Sequence, residues 1–427
     1  MHTADGGAHT IPEGSPGLDF FPNGSGYVPV PGDLIVEEGD GGANWYGHVS
    51  VVDTVTSTTI KAAEQNASST GWHTYQRTGS NVTGGYNGPV RGFSHAPENM
   101  GTGGSATGDK KADLVTLNNN GTSGTSMHVF TSSGSSFANQ QQWQNITWGW
   151  TGLKPLLGDA NGDGKADVVT LNNNGTSGTS IHVFPSSGSS FGNQQQWNNV
   201  TWAWTGLTPL LGDVTGDGKA DLVTLNNNGS NGTSIHVFKS TGSSFASQVM
   251  WRNTTWGYTG IKALLADATG DGKADLITLN NAGAAGTTMQ VFPSTGSSFS
   301  TPQQWRSTTW GWSGLKPLAG DVTGDGKADL ITLNNNGALG TSMHVFASTG
   351  SSFAAQQQWQ NTAWGWTGLK PLLGDATGDG KADVITLNNN GSSGTSIHVF
   401  ASTGSSFAAQ QQWQNITWGW TGLNPLI

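Results

Sequence analysis

A segment of 54 residues repeats through most of the chain, and this period limits the possible folds more than any other feature. The motif GDATGDGKAD and its close variants recur at equal spacing, with a degraded copy at Ser105 before them. Repeats of about this length are typical of solenoids and propellers, in which each copy is one supersecondary unit. The five intact copies begin at Asp159, Asp213, Asp267, Asp321 and Asp375.

Each copy contains four short segments with strand character, separated by turns rich in Gly, Asn and Ser. In the second copy they read LKPLLGD, ADVVTLNNN, TSIHVFP and QQWNNVTWAW. No segment keeps a helical pattern of apolar residues over three turns. Four short strands per repeat match the blade of a β-propeller, so we predict an all-β fold.

The two ends of the repeat region indicate that the blades close into a ring. Residues 104–427 span six units of 54, and the chain enters the first unit just after its LKPLL strand. The chain ends with GLNPLI, which supplies that strand and would cover the exposed sheet edge. We therefore predict a closed six-bladed propeller over 104–427, since an open solenoid would need polar capping repeats.

Aspartates recur at fixed positions of the loop before the second strand. In five copies they occupy positions 1, 5 and 9; position 3 is Asn or Thr, position 6 is Gly and position 7 is Lys. Alternate carboxylates around a tight Gly turn, with the carbonyl of position 7, form an oxygen cage of the kind that Ca²⁺ prefers. We predict about five Ca²⁺ sites, formed by Asp159, Asn161, Asp163, Lys165 and Asp167; Asp213, Thr215, Asp217, Lys219 and Asp221; Asp267, Thr269, Asp271, Lys273 and Asp275; Asp321, Thr323, Asp325, Lys327 and Asp329; and Asp375, Thr377, Asp379, Lys381 and Asp383.

The bidentate Glu that completes an EF-hand loop is missing, which predicts a weak affinity of ~10⁻⁴–10⁻³ M. The first copy has Ser105 at position 1 and Lys110 in place of the Gly, so we expect little or no binding there. The alternative is a polar turn in which the Asp side chains cap the local backbone.

These loops resemble the FG-GAP (VCBS-type) repeats of integrin-like propellers and secreted bacterial proteins. The resemblance covers about three quarters of the chain and implies structural calcium in the loops between strands. It implies less about the ligand, because such propellers bind sugars, proteins or other domains.

A second recurrent pattern is aromatic. Each copy carries Trp-x4-Trp-x-Trp, with Tyr258 as the one substitution, and a His in the preceding strand that is Gln290 in the fourth copy. We expect the last two aromatics to lie on one face of a strand. A flat indole beside His, Asn and Gln suits a sugar, whose C–H face meets the ring and whose hydroxyls meet the polar groups. The candidate ligand-binding residues are Trp148, Trp150, His128, Trp202, Trp204, His182, Trp256, Tyr258, His236, Trp310, Trp312, Trp364, Trp366, His344, Trp418, Trp420 and His398.

The structural alternative for these aromatics is that they act as wedges between blades. We expect Trp143 and its equivalents to be structural, and for Trp148 and Trp150 core packing and ligand contact stay open. A His in such a strand is more often a hydrogen-bonded structural residue than a ligand contact. The pattern also resembles propeller lectins with Trp-rich pockets between blades, most of which have seven blades, and several copies of a weak site would gain from avidity.

The sequence before the repeats differs from them in composition and contains no copy of the motif. We predict a loop-rich or disordered segment over 1–25, a separate domain over 26–95 and a linker over 96–103. The elements PGDLIV, GHVSVV, EQN and GFSH resemble the C-terminal half of a CHAP domain, the papain-like module of peptidoglycan hydrolases. The resemblance implies His48 as the general base, oriented by Glu64 or Asn66. The chain contains no Cys, so the thiolate nucleophile of that family is missing and the piece is expected to be inactive in this chain.

The amino-acid composition argues against binding to duplex nucleic acid, membrane insertion and glycoside hydrolysis. With 17 Lys+Arg against 27 Asp+Glu and a formal net charge of -10, the chain lacks the basic surface that duplex nucleic acid requires. No apolar run approaches the length of a membrane span. All acidic residues of 104–427 lie in the Asp loops, which leaves no carboxylate pair for glycoside hydrolysis.

The preferred function is therefore a secreted, calcium-stabilised propeller that binds glycans or cell-wall polysaccharide, with the export leader not visible in this chain and the oligomeric state open. One alternative is a peptidoglycan hydrolase that the propeller targets to its substrate. The other is an adhesion scaffold that recognises a protein.

Overall fold

The computed structural model describes residues 19–24, 29, 34–38, 48–56, 58–64, 70–85, 89–95, 104–201, 204–417 and 420–427. Asn66, Trp202, Trp418 and the 96–103 segment lie outside these residues. The chain divides into two compact units, one formed by Met1–Met100 with Gly216–Gly218 and the other by Gly101–Thr215 with Lys219–Ile427.

The second unit consists of six four-stranded antiparallel sheets, one for each repeat. Blade 1 contains β31 (Leu423–Leu426), β8 (Leu114–Asn119), β9 (Thr125–Phe130) and β10 (Gln141–Ile146). Blade 2 contains β11 (Leu153–Gly158), β12 (Asp167–Asn173), β13 (Thr179–Phe184) and β14 (Gln195–Val200). Blade 3 contains β15 (Leu207–Gly212), β16 (Asp221–Asn227), β17 (Thr233–Phe238) and β18 (Val249–Thr254). Blade 4 contains β19 (Ile261–Ala266), β20 (Asp275–Asn281), β21 (Thr287–Phe292) and β22 (Gln303–Thr308). Blade 5 contains β23 (Leu315–Gly320), β24 (Asp329–Asn335), β25 (Thr341–Phe346) and β26 (Gln357–Thr362). Blade 6 contains β27 (Leu369–Gly374), β28 (Asp383–Asn389), β29 (Thr395–Phe400) and β30 (Gln411–Ile416).

Two families of short 3₁₀ turns connect these strands. One follows the Asn-rich end of each second strand: Gly121–Ser123, Gly175–Ser177, Gly229–Asn231, Gly283–Ala285, Gly337–Leu339 and Gly391–Ser393. The other precedes each first strand: Trp150–Gly152, Trp204–Gly206, Tyr258–Gly260, Trp312–Gly314, Trp366–Gly368 and Trp420–Gly422.

The ring is closed by the last strand of the chain. β31 pairs antiparallel with β8, with Leu423 opposite Asn118 and Leu426 opposite Val115. Each first strand contacts the first strand of the next blade, in the order β11, β15, β19, β23, β27 and β31, and β31 in turn contacts β11. These strands therefore surround a common axis, and the prediction of a closed six-bladed propeller is confirmed.

Both faces of the middle strands are buried because each blade packs against its neighbours. Along β12, Val169 and Leu171 point to one face and Val168 to the other, and all three are fully buried. Val168 packs in one apolar cluster with Val115 and Val129 of blade 1. Such nearly continuous apolar runs, interrupted only by Thr and Asn, are expected of strands covered on both sides.

Strand direction separates the loops into two ends, named here the Asp end and the Trp end. The Asp loops between first and second strands lie at the same end as the Ser-rich turns after the third strands. The Asn turns and the Trp-x-Trp segments lie at the opposite end.

The Asp loops also join the blades to one another. The backbone N–H of Ala166 donates to the carbonyl of Ser105 (2.8 Å), and Ala112 donates to Asp375 (2.7 Å) across the closure between blades 6 and 1. The remaining pairs follow the same pattern around the ring: Ala220 to Asp159, Ala274 to Asp213, Ala328 to Asp267 and Ala382 to Asp321.

The first unit contains a seven-stranded antiparallel sheet, whose strands follow one another across the sheet in the order Asp19–Pro22, Val90–His95, Leu34–Glu37, His48–Val55, Thr59–Ala63, Trp72–Thr78 and Asn81–Thr83. Its described core comprises Ile35, Ile60, Tyr75 and Phe93, all fully buried. The sheet begins earlier than residue 26, the boundary predicted from the sequence, because the first strand already pairs with the last. The strands are β1 (Asp19–Pro22), β2 (Leu34–Glu37), β3 (His48–Val55), β4 (Thr59–Ala63), β5 (Trp72–Thr78), β6 (Asn81–Thr83) and β7 (Val90–His95).

Candidate functional site

A row of polar side chains crosses each blade on the face turned toward the preceding blade. In blade 2, Thr170 lies opposite His182, and Asn172 lies opposite Ser180. His182 lies opposite Gln196 of the outer strand. We call each such row, formed by Thr, Asn, Ser, His and Gln, an interblade cluster.

Burial in the cluster decreases from the second strand to the fourth. Thr170 and Asn172 are fully buried and His182 is 3% exposed, whereas Gln196 is exposed. The cluster therefore forms a polar strip that runs from the surface of the outer strand into the contact between two blades.

In three of the Trp-x-Trp segments the first Trp lies against the His of the next blade. The ring centroids of Trp148 and His182 are 6.0 Å apart, and those of Trp364 and His398 are 5.6 Å apart, as are those of Trp310 and His344. The Thr341 hydroxyl donates to the carbonyl of Trp364 at 3.1 Å and fixes that segment. The structure thus combines an indole from one blade with the polar strip of the next.

The expectation that the last two aromatics share one face of a strand is wrong. β10 ends at Ile146, Trp148 lies in the loop that follows, and Trp150 begins a 3₁₀ turn. The segment leaves the outer strand and crosses to the first strand of the next blade, so its two aromatics reach different places. The side chain of Trp150 lies outside the described residues.

The second aromatic of the segment lies beside the axis. The Lys154 ammonium sits 4.4 Å from the ring centroid of Trp204. The same arrangement joins Lys262 to Trp312, Lys316 to Trp366 and Lys370 to Trp420, at 4.6, 4.3 and 4.5 Å. One face of each of these indoles is thus covered by a cation, which favours a structural role for Trp204, Trp312, Trp366 and Trp420.

Blade 3 explains why Tyr258 breaks the aromatic pattern. Its first strand has Thr208 where blades 2, 4, 5 and 6 have Lys, and the Thr208 and Tyr258 hydroxyls are 2.6 Å apart. A hydroxyl pair replaces the ammonium and indole pair. This covariation of Thr with Tyr and of Lys with Trp is visible in the sequence, where it could have indicated the contact.

A hydrogen-bonded chain runs through the clusters of blades 5 and 6. Asn388 Nδ2 donates to His398 Nδ1 at 2.9 Å, and His398 Nε2 lies 3.4 Å from Gln412 Oε1. Asn334, His344 and Gln358 repeat the chain at 2.6 and 3.3 Å. The imidazole therefore accepts at Nδ1 and donates at Nε2, which requires the neutral form.

Burial favours the same neutral form. It lowers the pKa of His344 and His398 below the usual value, since a buried imidazole loses the hydration of its charge. The same direction and the same principal cause apply to His128, His182 and His236.

Several atoms deep in the clusters have no hydrogen-bond partner among the described residues. They include the hydroxyl of Thr386 and the side-chain oxygen of Asn388, both in blade 6. Unpartnered buried polar atoms are uncommon in folded proteins and each needs an explanation, such as a bound ligand or water. The other blades repeat this feature at Thr170, Asn172, Thr224, Asn226, Asn280, Thr288, Thr332, Asn334 and Ser342.

The six clusters are not identical. In blade 4, Gln290 replaces the His and accepts a hydrogen bond from Asn280 at 3.1 Å. In blade 3, Met250 replaces the outer Gln and is 58% exposed. The clusters of blades 1, 2, 5 and 6 keep all of the polar types.

Trp143 and its equivalents have the structural role expected from the sequence. Trp143 is 7% exposed and meets Phe191 of the next blade edge-to-face at 5.1 Å. The last member of the series, Trp413, meets Phe137 of blade 1 at 5.2 Å. These pairs link the outer parts of adjacent blades and close the ring.

The Asp loops hold their carboxylates against backbone N–H groups. Asp159 accepts from Gly162 (2.6 Å) and Gly164 (2.7 Å). Asp167 accepts from Ser186 at 2.8 Å and from Asn161 at 3.2 Å. Both aspartates therefore stay inside the loop, and their remaining lone pairs are the oxygen donors that Ca²⁺ uses.

Two of the three carboxylates in such a loop carry a charge that burial disfavours. Desolvation by burial raises the pKa of Asp159 to about 6, with the charge of Asp163 adding to the rise. Burial and the charges of Asp159 and Asp163 raise the pKa of Asp167 to about 7. A cation at the loop would relieve this repulsion, so the donor set fits Ca²⁺ chemically.

The third carboxylate faces a lysine. Asp163 Oδ2 lies 3.3 Å from the Lys165 ammonium, and the backbone N–H of Lys165 donates to Asp163 Oδ1 at 3.0 Å. The described residues include no His, Asp or Glu cluster of three or more arranged to hold a metal. The Asp163 side chain would have to turn from Lys165 to complete a cage.

The degraded first loop keeps the loop conformation without the first aspartate. Ser105 Oγ accepts from Gly108 N at 3.1 Å, and Asp109 pairs with the Lys111 ammonium at 2.8 Å. Lys110 adopts φ 70°, where the other loops have Gly. Removing one carboxylate thus leaves a loop that needs less compensating positive charge.

In the first unit, His48 and Glu64 come together. His48 Nε2 lies 3.1 Å from Glu64 Oε2, and the Glu64 side chain is fully buried. The Tyr75 hydroxyl lies 2.7 Å from Ser50 Oγ and donates to Glu37 at 2.7 Å. A His oriented by a buried carboxylate is the arrangement expected of a general base.

Comparison with known proteins supports the repeat assignment. The sequence profile of the FG-GAP-like repeat matches residues 106–170, 159–224, 213–278, 267–332 and 321–386. The chain has no significant match among curated protein sequences. None of the helices in the described part of the chain is long and apolar enough to cross a bilayer.

The chain is similar to several solved structures, and the first of these shares its fold. A lectin from Agrocybe aegerita that recognises non-reducing terminal N-acetylglucosamine is 19% identical with a TM-score of 0.53, over 93% of this chain and 96% of that one. AofleA from Arthrobotrys oligospora is 11% identical with a TM-score of 0.44, over 74% and 89%. The six-bladed lectin of Aleuria aurantia is 13% identical with a TM-score of 0.38, over 72% and 95%. Because the repeat profile covers well over half of the sequence, this chain belongs to the family of FG-GAP-like repeat proteins.

Proposed function

We propose that the propeller binds carbohydrate in the interblade clusters at its Trp end. The observation that carries this proposal is the set of buried Thr and Asn atoms without partners, next to an indole and a neutral His. A sugar has several hydroxyls that can satisfy such atoms and an apolar face that stacks on Trp. Where it is described, the first Trp is partly exposed, and the sugar would enter beside it.

Six related clusters at one end of the ring support multivalent binding to a glycan surface. Each site is small and is expected to be weak by itself, but simultaneous contacts with neighbouring residues of a polysaccharide raise the overall affinity. N-Acetylglucosamine is the first sugar to test, since a lectin of the same fold recognises it at non-reducing termini.

Calorimetric titration with N-acetylglucosamine tests the proposal, because the number of sites is measured separately from their affinity. Asn388→Ala should remove one site and leave the others unchanged. Asn389→Ala is the matched control, since Asn389 is the next residue and only caps the turn through Gly391 N at 2.9 Å. No heat with N-acetylglucosamine or a panel of other glycans would contradict the proposal, and protein capture insensitive to free sugar would favour an adhesion scaffold.

We also propose that the five intact Asp loops bind Ca²⁺ and that the protein acts outside the cell, where calcium is abundant. The three carboxylates of each loop, the last of which is fully buried, support this proposal. Metal that binds only the folded protein raises its stability, so calcium should raise the melting temperature and EDTA should lower it. Equal melting curves in the two solutions would contradict calcium binding.

The contact between His48 and Glu64 favours a second candidate, a CHAP-like peptidoglycan amidase whose nucleophile comes from another chain or segment. Turbidity clearing of a peptidoglycan suspension that His48→Ala abolishes would support it. Clearing that is equal in the variant, or absent in both, would leave the carbohydrate-binding propeller as the function.

A further inference from the structure

Four lysines surround the propeller axis near the Trp end: Lys154, Lys262, Lys316 and Lys370. Each is the second residue of a first strand, and the first strands form the closed ring around the axis. We call them the axial lysines. Thr208 and Asn424 occupy the same position in blades 3 and 1.

The ammonium groups are held in place by the next blade. Lys154 Nζ donates to the carbonyls of Trp204, at 2.9 Å, and of Leu207. Lys316 Nζ donates to those of Trp366 and Leu369, at 2.8 and 2.6 Å. Two of the three N–H donors of each lysine are thereby used, and the position of the third is fixed by the other two.

Backbone carbonyls orient these charges but do not neutralise them. None of the axial lysines pairs with a carboxylate among the described residues, and every acidic residue of 104–427 lies in an Asp loop. Lys154 is separated from its own Asp loop by most of β11, about 13 Å at the rise of a strand. The four lysines therefore lie at the same position of first strands in one closed ring, three of them on consecutive blades, and no carboxylate among the described residues pairs with them.

The charge of Lys262 reaches the next blade and acts on Lys316. Burial lowers the pKa of Lys316 to about 8, and the positive charge of Lys262 contributes to the decrease. Burial also lowers the pKa of Lys154, Lys262 and Lys370. A like-charge ring of this kind is costly unless an anion compensates it.

We propose that the axial lysines form a binding site for a multivalent oxyanion on the propeller axis. Tetrahedral oxyanions present several acceptors to donors that converge from different directions, and the ring supplies one orientated N–H from each of four blades. The oxyanion is either free, as inorganic sulfate or phosphate, or a sulfate group attached to a glycan that also occupies the interblade clusters.

The two sources can be separated with inorganic sulfate and a sulfated disaccharide as probes, each titrated at constant ionic strength against chloride. The full chain should bind inorganic sulfate saturably, as judged by calorimetry and by the melting temperature. A glycan-borne group is indicated if the disaccharide binds at least tenfold more tightly than inorganic sulfate and its unsulfated form does not.

Lys316→Gln is the diagnostic variant, since its amide can still donate to a carbonyl while the charge is lost. We expect its dissociation constant for sulfate to rise at least tenfold. Lys239→Gln is the matched control, because Lys239 also donates to a carbonyl (Gly296, 3.1 Å) and lies over an indole (Trp251, 5.6 Å) but follows a third strand, away from the axis.

A gain of function completes the test. The double variant Thr208→Lys with Tyr258→Trp rebuilds the missing pair of blade 3 and adds a fifth ammonium, so it should bind sulfate several-fold more tightly. If sulfate shifts the melting temperature of wild type, Lys316→Gln and the double variant equally, the lysines only join the blades and the proposal is wrong.

Discussion

Replacing the buried hydroxyl of Thr386 by a methyl group should stabilise the free protein and weaken sugar binding. Thr386 is fully buried, and its hydroxyl has no partner among the described residues. A buried polar group left without a hydrogen bond costs ~1–3 kcal/mol. Thr386→Val keeps the size and strand preference of the side chain, so we expect a gain in unfolding free energy of about 1 kcal/mol.

The equivalent Thr hydroxyl also lacks a partner among the described residues in three other blades, so the gain in unfolding free energy can be measured for several substitutions together. The sites are far apart, so their contributions should add. Changing all four Thr to Val would stabilise the free protein by about 4 kcal/mol, or roughly 8 °C in melting temperature. The four positions are Thr170, Thr224, Thr332 and Thr386.

Thermal melts measured without sugar and calorimetric titration with N-acetylglucosamine provide the two readouts. Thr341→Val is the control, because that buried hydroxyl has a partner in the Trp364 carbonyl (3.1 Å) and its loss should cost about 1 kcal/mol. If Thr386→Val destabilises the protein as much as Thr341→Val and binds sugar normally, the hydroxyl is satisfied internally and the cluster is not the ligand site.

Three further predictions follow from the loops and clusters. Asp329→Asn should raise the melting temperature in EDTA and lower it in calcium. Burial raises the pKa of Asp329 to about 7, so without metal the charge of this carboxylate lowers the stability of the fold as pH rises from about 4 toward 7. Equal shifts of the melting temperature in both solutions would contradict the calcium proposal. Sugar binding should persist at the pH where a free imidazole is half protonated, about 6.5, and weaken only at lower pH, because burial lowers the pKa of His398 and keeps the native imidazole neutral. His398→Gln, which copies Gln290 of blade 4, should remove this dependence from its cluster in a pH series of titrations. Gly394→Ala should lower the free energy of unfolding by ~3 kcal/mol or more in thermal melts, since the φ of Gly394 is 91° and a Cβ there would lie 2.1 Å from the Ile416 carbonyl oxygen. Gly391→Ala is the control: its φ is 64° and no atom lies within 4 Å of the added Cβ, so it should lower the free energy of unfolding by only about 1 kcal/mol.

The ring could be predicted from the sequence because the repeat fixes both the number of blades and the register of its ends. Pairing of Leu423 with Asn118 follows from the position at which the chain enters its first unit. The structural role of Trp143 was also accessible, since a bulky apolar residue at one position per blade has to pack between neighbours.

The internal arrangement of the candidate site was less accessible. An alternating Trp-x-Trp pattern resembles a strand, but the chain has to cross from the outer strand of one blade to the axis of the next, and a loop with a 3₁₀ turn makes that crossing. Three consecutive Asn residues look equivalent in the sequence. Only strand pairing shows that Asn388 enters the cluster while Asn389 caps the turn.

The antiparallel register also separates the two kinds of chemistry in each repeat. A first strand that begins beside the aromatic segment ends at the Asp loop, so Leu153 and Gly158 lie at opposite ends of the propeller. The Asp loops also join the blades, because Ala166 and its equivalents donate across the blades there. Substitutions in the clusters can therefore alter recognition without disturbing these links, and the variants of blades 3 and 4 show that individual clusters diverge while the ring stays closed. The separation explains how one repeat can keep its loops nearly constant and still change its binding surface.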